Sequence, residues 1–173
     1  MKTYNEELTD AMVELSKDER TMFVGYGLED GRAMGTLPKW ARIVETPVAE
    51  SLMTGIALGL ALQGFLPVVY FERADFLFCA ADVIVNHLDQ LRHLSRGQFA
   101  PGVIIRVTVG NRTKPLFTGP THTRNPAQAF RELLSMPVLE MTSPQHIRNC
   151  VRFAYSNAKM GQPTMLFEFK DLM

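Results

Sequence analysis

A three-layer α/β/α domain on a mainly parallel central sheet is the fold class this sequence predicts, and three observations predict it. Runs such as 66–71 "LPVVYF" and 102–110 "GVIIRVTVG" are apolar almost throughout, the composition of strands buried on both faces. Segments with helical spacing separate them, the order expected of parallel strands joined by crossovers. No repeat, low-complexity tract or linker divides the 173 residues, a length that suits one domain with a substantial core.

The elements follow in order. Residues 4–17 set Tyr4, Leu8, Met12 and Leu15 on one stripe of a helix, with Thr3 available to cap it. A buried strand, 21–27 "TMFVGYG", closes on glycines and opens into a polar, glycine-rich connection over 27–40. That connection leads to a short strand, 41–46 "ARIVET". An apolar helix over 49–63 precedes the strand 66–71, and a second long helix is predicted over 75–95 with Asp75 as its cap. The strand 102–110 is apolar except for Arg106, and a loop rich in Gly, Pro, Thr and Asn runs from Asn111 to Pro126. A helix around 127–135, a strand "PVLEMTS", a helix from Pro144 to about Lys159 and a strand "PTMLFEF" complete the chain. Ligands of such sheets sit beyond the carboxyl ends of strands, so the segments 25–40, 46–50, 72–76 and 110–126 are where a site is expected.

Composition narrows the function. The formal net charge is zero, which removes the electrostatic case for nucleic acid or an anionic membrane as partner and leaves self-association unopposed. Only Cys79 and Cys150 are present, each among apolar neighbours, and they read as core thiols rather than a disulfide or a metal pair. The opening "MKTYNEELTD" has no apolar signal region, so a cytoplasmic location is expected.

One stretch poses the chemical question. Residues 45–64 read "ETPVAESLMTGIALGLALQG", with Glu45 and Glu50 at the head of an uncharged run that continues to Phe71. The run matches the roughly 20 residues of a membrane span. Gln63-Gly64 and Pro67 break it into a helix and a strand, however, and no Lys or Arg cluster flanks it. Two readings remain for Glu50: an acid that merely favours a helix N-terminus, or a catalytic acid aimed into a dry pocket. Glu45 sits in the extended segment before Pro47 and reads as structural.

From Glu50 the spacing is Glu, four residues, Gly55, Ile56, two residues, Gly59. This resembles the signature of the pyrimidine-binding domain of thiamine diphosphate enzymes. The similarity extends through "RIVETPVAESLMTGIALGLALQGFLPVVYF", "TYNEEL", "DVIVNHLDQLR", the His122 loop and the closing "SPQHIRNCVRFA…PTMLFEF". Together these resemble the β subunits of 2-oxo acid dehydrogenase E1 components over nearly the whole chain. The resemblance implies the thiamine diphosphate-binding fold. It also implies that Glu50 hydrogen-bonds N1′ of the cofactor's aminopyrimidine and relays a proton so that the 4′-nitrogen can deprotonate the thiazolium. Such acid/base steps contribute about 10²–10⁴-fold.

The same register implies further roles. Phe76 would lie against the aminopyrimidine. Glu72 departs from the family pattern, in which this stretch near the pyrimidine is usually neutral, and is expected to join Glu50 and Phe76 in contacting the cofactor. His122 would face the substrate, orienting a 2-oxo acid carboxylate or managing protons. His87, His93 and His146 lack metal-ligand spacing and read as structural. Apart from what the resemblance implies, Arg73 and Arg124 would neutralise an acidic substrate or acceptor, or are plain surface. Gly55 and Gly59, one turn apart, would admit another helix in a subunit contact.

Thiamine diphosphate enzymes also need a diphosphate-binding domain with Gly-Asp-Gly and paired asparagines around a divalent ion such as Mg2+. This chain has "EDG" at 29–31 and no adjacent asparagines. The expectation is therefore one pyrimidine-binding domain over 1–173, with the diphosphate and metal held by a separate α-type subunit, most simply as α₂β₂. The sequence ends at "FEFKDLM", where family β subunits usually continue into a C-terminal domain. That favours carbon–carbon bond formation after decarboxylation of a 2-oxo acid over lipoyl acylation. A transketolase-like split subunit and a non-catalytic scaffold stay open as alternatives.

Overall fold

The computed structural model describes residues 2–114 and 119–173; part of the predicted 111–126 loop therefore lies outside the described residues. Among the described residues six strands form one sheet in the order β2-β1-β3-β4-β6-β5, with every pairing parallel. The strands are β1 Thr21–Gly25, β2 Ile43–Glu45, β3 Leu66–Phe71, β4 Ile104–Val109, β5 Val138–Glu140 and β6 Thr164–Phe169. In β3, β4 and β6 every residue is buried, as continuous apolar runs require when both faces are covered.

Two hydrophobic layers flank the sheet. One packs helix α3 (Glu50–Leu62), the segment 74–88 and helix α5 (Ala127–Leu133) over Val69, Phe71, Ile105, Val107 and Phe167. The other packs helix α1 (Tyr4–Ser16) and helix α6 (Pro144–Lys159) over Val68, Tyr70, Ile104 and Leu166. Alternate strand residues thus serve opposite layers, the period of a pleated sheet. Thr3 caps α1 in a capping box with Glu6, and Ser143 caps α6 ahead of Pro144. Across the outer face, Arg148 binds Glu7 through two nitrogens at 2.7 Å each and locks α6 to α1.

Several elements depart from expectation. The connection 27–40 contains a short helix, α2 (Leu28–Gly35), because the Glu45 carboxylate accepts from the amides of Gly27, Leu28 and Glu29 at its start. Its last turn is left-handed at Arg32, Ala33 and Met34. The predicted helix 75–95 breaks into a 3₁₀ segment Ala74–Ala80, a π-helical segment Val83–Leu88 and the four-residue helix α4 (Leu91–Leu94). Asp75 does not cap it: Arg73 occupies that position, and the Asp75 carboxylate is engaged elsewhere. Cys79 is exposed and Cys150 half-buried, so Cys79 is no core thiol; both are free. Among the described residues no helix is long and apolar enough to cross a membrane, and residues 51–71 are divided between α3 and β3.

Arg106 explains its place in an apolar strand. It and Glu168 face each other across β4 and β6, 1% and 0% exposed, with Nε and Nη2 donating to the carboxylate at 2.6 and 3.1 Å. Thr108 donates to the same carboxylate at 2.6 Å, and the guanidinium lies 5.0 Å from the Tyr70 ring centre. Burial, then the charge of Glu168, pushes the Tyr70 phenol above its ordinary range.

Candidate active site

The strand order reverses between β1 and β3, the two neighbours from which the chain departs in opposite directions. The carboxyl ends of strands at such a switch point form a crevice. Tyr26 follows β1, Glu50 opens the helix after β2, and Glu72 and Arg73 follow β3. The expected side chains therefore gather on one edge of the sheet.

Glu50 is the first residue of α3 and only 8% exposed. Its backbone carbonyl accepts from Thr54 Oγ1 at 3.0 Å, but among the described residues nothing hydrogen-bonds its carboxylate. A buried acid without an internal donor is costly unless a ligand or partner supplies one. Ala49, in the capping position, contributes no side-chain bond, which leaves the helix start open. Tyr26 is the residue that the sequence reading passed over. It is half-buried beside this acid: burial first, then the charges of Glu72 and Glu50, push its phenol up to about 12.

Phe76 and His122 meet edge to face, ring centres 5.2 Å apart and planes at 87°. Three features hold them there. Arg124 donates from its amide and Nε to Asp75, at 3.1 and 2.7 Å, tying the His122 loop to the segment that carries Phe76. Gly110, after β4, lies so close to that loop that a Cβ would stand 1.8 Å from the His122 carbonyl oxygen. Thr121 Oγ1 contacts His122 Nδ1 at 3.0 Å. Arg124 is thus committed to Asp75. Glu72 pairs with Arg73 at 3.1 Å, and the same Arg73 Nη1 donates to the Glu72 carbonyl at 2.6 Å.

The remaining histidines do not join this edge. His87 lies 3.8 Å from Asp82 on an exposed surface, and His146 contacts Thr142 at the start of α6. Among the described residues no group of three His, Cys, Asp or Glu is arranged to hold a metal ion. A wider depression of about 700 Å³ lies between α1 and α6, lined by paired charges including Glu7, Asp18 and Arg148.

Residues 6–173 match the family described as transketolase, pyrimidine binding domain, and the chain belongs to that family. It is 27% identical over 132 residues to the 2-oxoisovalerate dehydrogenase subunit beta of Pseudomonas aeruginosa, covering 76% of this chain and 36% of that one. It is 26% identical over 172 residues to the pyruvate dehydrogenase E1 component subunit beta-4 of Oryza sativa, covering 94% and 41%. The chain thus spans less than half the length of these relatives. Among solved structures, a split gene transketolase, described as an inactive beta4 tetramer, superposes with a TM-score of 0.71 at 19% identity. That match covers 95% of this chain and 50% of the other. Benzoylformate decarboxylase from Polynucleobacter necessarius also gives 0.71 at 19% identity, covering 99% and 31%. These likenesses establish the fold.

Proposed function

We propose that this chain is the pyrimidine-binding, β-type subunit of a split thiamine diphosphate enzyme that decarboxylates a 2-oxo acid and passes the activated aldehyde to an acceptor. One observation carries the reading: Glu50 is buried, its carboxylate has no hydrogen-bond partner among the described residues, and it stands at the first position of the helix that follows β2. An aminopyrimidine fits this edge, because it offers N1′ to a carboxyl and a flat ring to aromatic neighbours. When bound, thiamine diphosphate supplies the nucleophilic carbon that adds to the ketone and stores its electrons as carbon dioxide leaves.

The chain's own residues do the rest. Glu50 shares a proton with N1′, and its low-dielectric surroundings strengthen that hydrogen bond. Tyr26 stays protonated at neutral pH, since burial pushes its phenol up to about 12, and lends a neutral wall to the pocket. Phe76 packs against the pyrimidine, and its ring sets the position of His122, which orients the 2-oxo acid carboxylate. Glu72 pairs with Arg73 and holds it after β3.

Diphosphate and its divalent ion fall to a separate α-type subunit, since this family domain contributes the pyrimidine side. A second contact joins copies of this chain. Leu52, Gly55, Gly59 and Leu62 are exposed along one face of α3, and a Cβ at either glycine would meet nothing within 4 Å. With exposed Val48 and Phe78 nearby, this apolar face suits a close helix–helix contact, as in an α₂β₂ assembly.

The test is product analysis of the chain mixed with a partner that carries Gly-Asp-Gly and an asparagine pair. Carbon dioxide release from a 2-oxo acid by the mixture, and not by either chain alone, is expected. Ketose cleavage without carbon dioxide would replace this reading with a transketolase-like one.

A further inference from the structure

The chain leaves β4 for the edge strand β5 and returns to β6, so the carboxyl ends of β4 and β6 lie side by side. Beyond the carboxyl ends of these strands is a cavity of about 30 Å³, lined by Arg73, Gly110, Asn111, Lys114, His122 and Lys170. Cationic side chains dominate the lining. Arg73 is 6% exposed, yet only its Nη1 is engaged; among the described residues Nε and Nη2 have no hydrogen-bond partner. Lys114 and Lys170 have no carboxylate within ion-pair distance among the described residues. Asn111 Oδ1 accepts from the Lys114 amide and turns that residue back toward the cavity. The nearby acids are committed: Asp171 to Arg112, Glu168 to Arg106, Glu72 to Arg73. A guanidinium with two nitrogens that no described residue engages, set beside two ammonium groups without an ion pair among the described residues, suits an anion.

We propose that this cavity binds a second, distal carboxylate of the substrate, making the preferred substrate a 2-oxo dicarboxylic acid. This rests on the decarboxylase reading above. The scissile carboxylate is a poor occupant, because it loses its charge as carbon dioxide forms. Several cations around it would hold the ground state more tightly than the transition state and slow the reaction. A distal carboxylate keeps its charge throughout, so its binding is not lost at the reacting step. The cavity is small, about 30 Å³, which suits one anionic group rather than a whole substrate. His122 borders both the cavity and Phe76, so a substrate can reach from one to the other.

Two measurements test this. The chain alone is titrated with acetate, and with inorganic phosphate, while backbone amide NMR signals are followed. Acetate is expected to shift Gly110 and Lys170 and to lose affinity in Lys170→Met; no shift there, or tighter binding of phosphate, overturns the carboxylate assignment. In the reconstituted complex, kcat/KM is compared for 2-oxoglutarate and 2-oxopentanoate, which differ in the distal carboxylate. The dicarboxylate is expected to be preferred, and Lys170→Met to lower the preference ratio about 10-fold, the loss of one charge-assisted hydrogen bond. Lys170→Arg keeps the preference. Turnover of the monocarboxylate alone overturns the inference and leaves the decarboxylase reading standing. No carbon dioxide from any 2-oxo acid removes the parent reading, while the acetate titration still reports on the cavity.

Discussion

Asp75 and Arg124, 49 positions apart, form the ion pair that fixes His122 against Phe76. The two partners are unequal, since the Asp75 side chain is 3% exposed and that of Arg124 is 64% exposed. Arg124→Ala would strand a buried carboxylate, at a cost of about 1–3 kcal/mol. Asp75→Ala would release an arginine that already reaches water, and should cost less. Urea denaturation of the two variants measures the difference; the reverse order would contradict this account of the loop.

Gly110 has an absolute steric role. Because a Cβ there would stand 1.8 Å from the His122 carbonyl oxygen, Gly110→Ala must push the His122 loop away from β4. Misplacing a positioning group by an ångström costs on the order of 10²-fold in rate. Carbon dioxide release by the reconstituted complex should fall by about that factor, and the His122 ring proton signals should move. An unaltered rate would show that His122 does not contribute.

The buried pair between β4 and β6 makes a different prediction. Removing one partner, as in Glu168→Leu, leaves an uncompensated buried charge and should destabilise by about 3–5 kcal/mol. The double variant Arg106→Met with Glu168→Leu should recover most of that loss, because two apolar side chains need no compensation. Thermal unfolding of the single and double variants decides, and equal losses would refute the argument.

Acid sensitivity should reside on the α1–α6 face, at the opposite side of the sheet from α3. The Arg148 hydrogen bonds lower the Glu7 carboxyl, and those from Arg20 lower Asp18 well below the usual carboxylate range. Both carboxyls bind protons less readily folded than unfolded, where ordinary values are 4.5 and 3.8. Their contribution is therefore complete above those values and is lost as pH falls through the lower folded ones. Stability should decline below about pH 4.5, and Glu7→Gln with Asp18→Asn should flatten that decline. Denaturant midpoints at successive pH values measure it; an unchanged slope in the double variant would be contrary.

Much of this was legible in the sequence because it depends on local signals. Apolar runs marked the buried strands, Thr3 marked the start of α1, and Pro144 that of α6. Glu45, read as structural from its place before Pro47, binds three amides at the start of α2. What sequence could not supply were pairings made across the fold. Arg106 meets Glu168 at a separation of 62 residues, and Asp75 turns from a helix start to Arg124. The break of 75–95 into 3₁₀ and π-helical pieces was equally hidden, since its apolar spacing suits a continuous helix. Tyr26 gave a faint signal as an aromatic residue between two glycines at the end of β1.

The most direct measurement is the turnover of the reconstituted complex carrying Glu50→Gln. An amide of the same size keeps the packing of α3 but cannot share a proton with the pyrimidine. Carbon dioxide release from a 2-oxo acid should fall by about 10²–10⁴-fold while assembly with the partner chain is retained. Turnover equal to that of the unmodified complex would contradict the account, and would make this chain a scaffold.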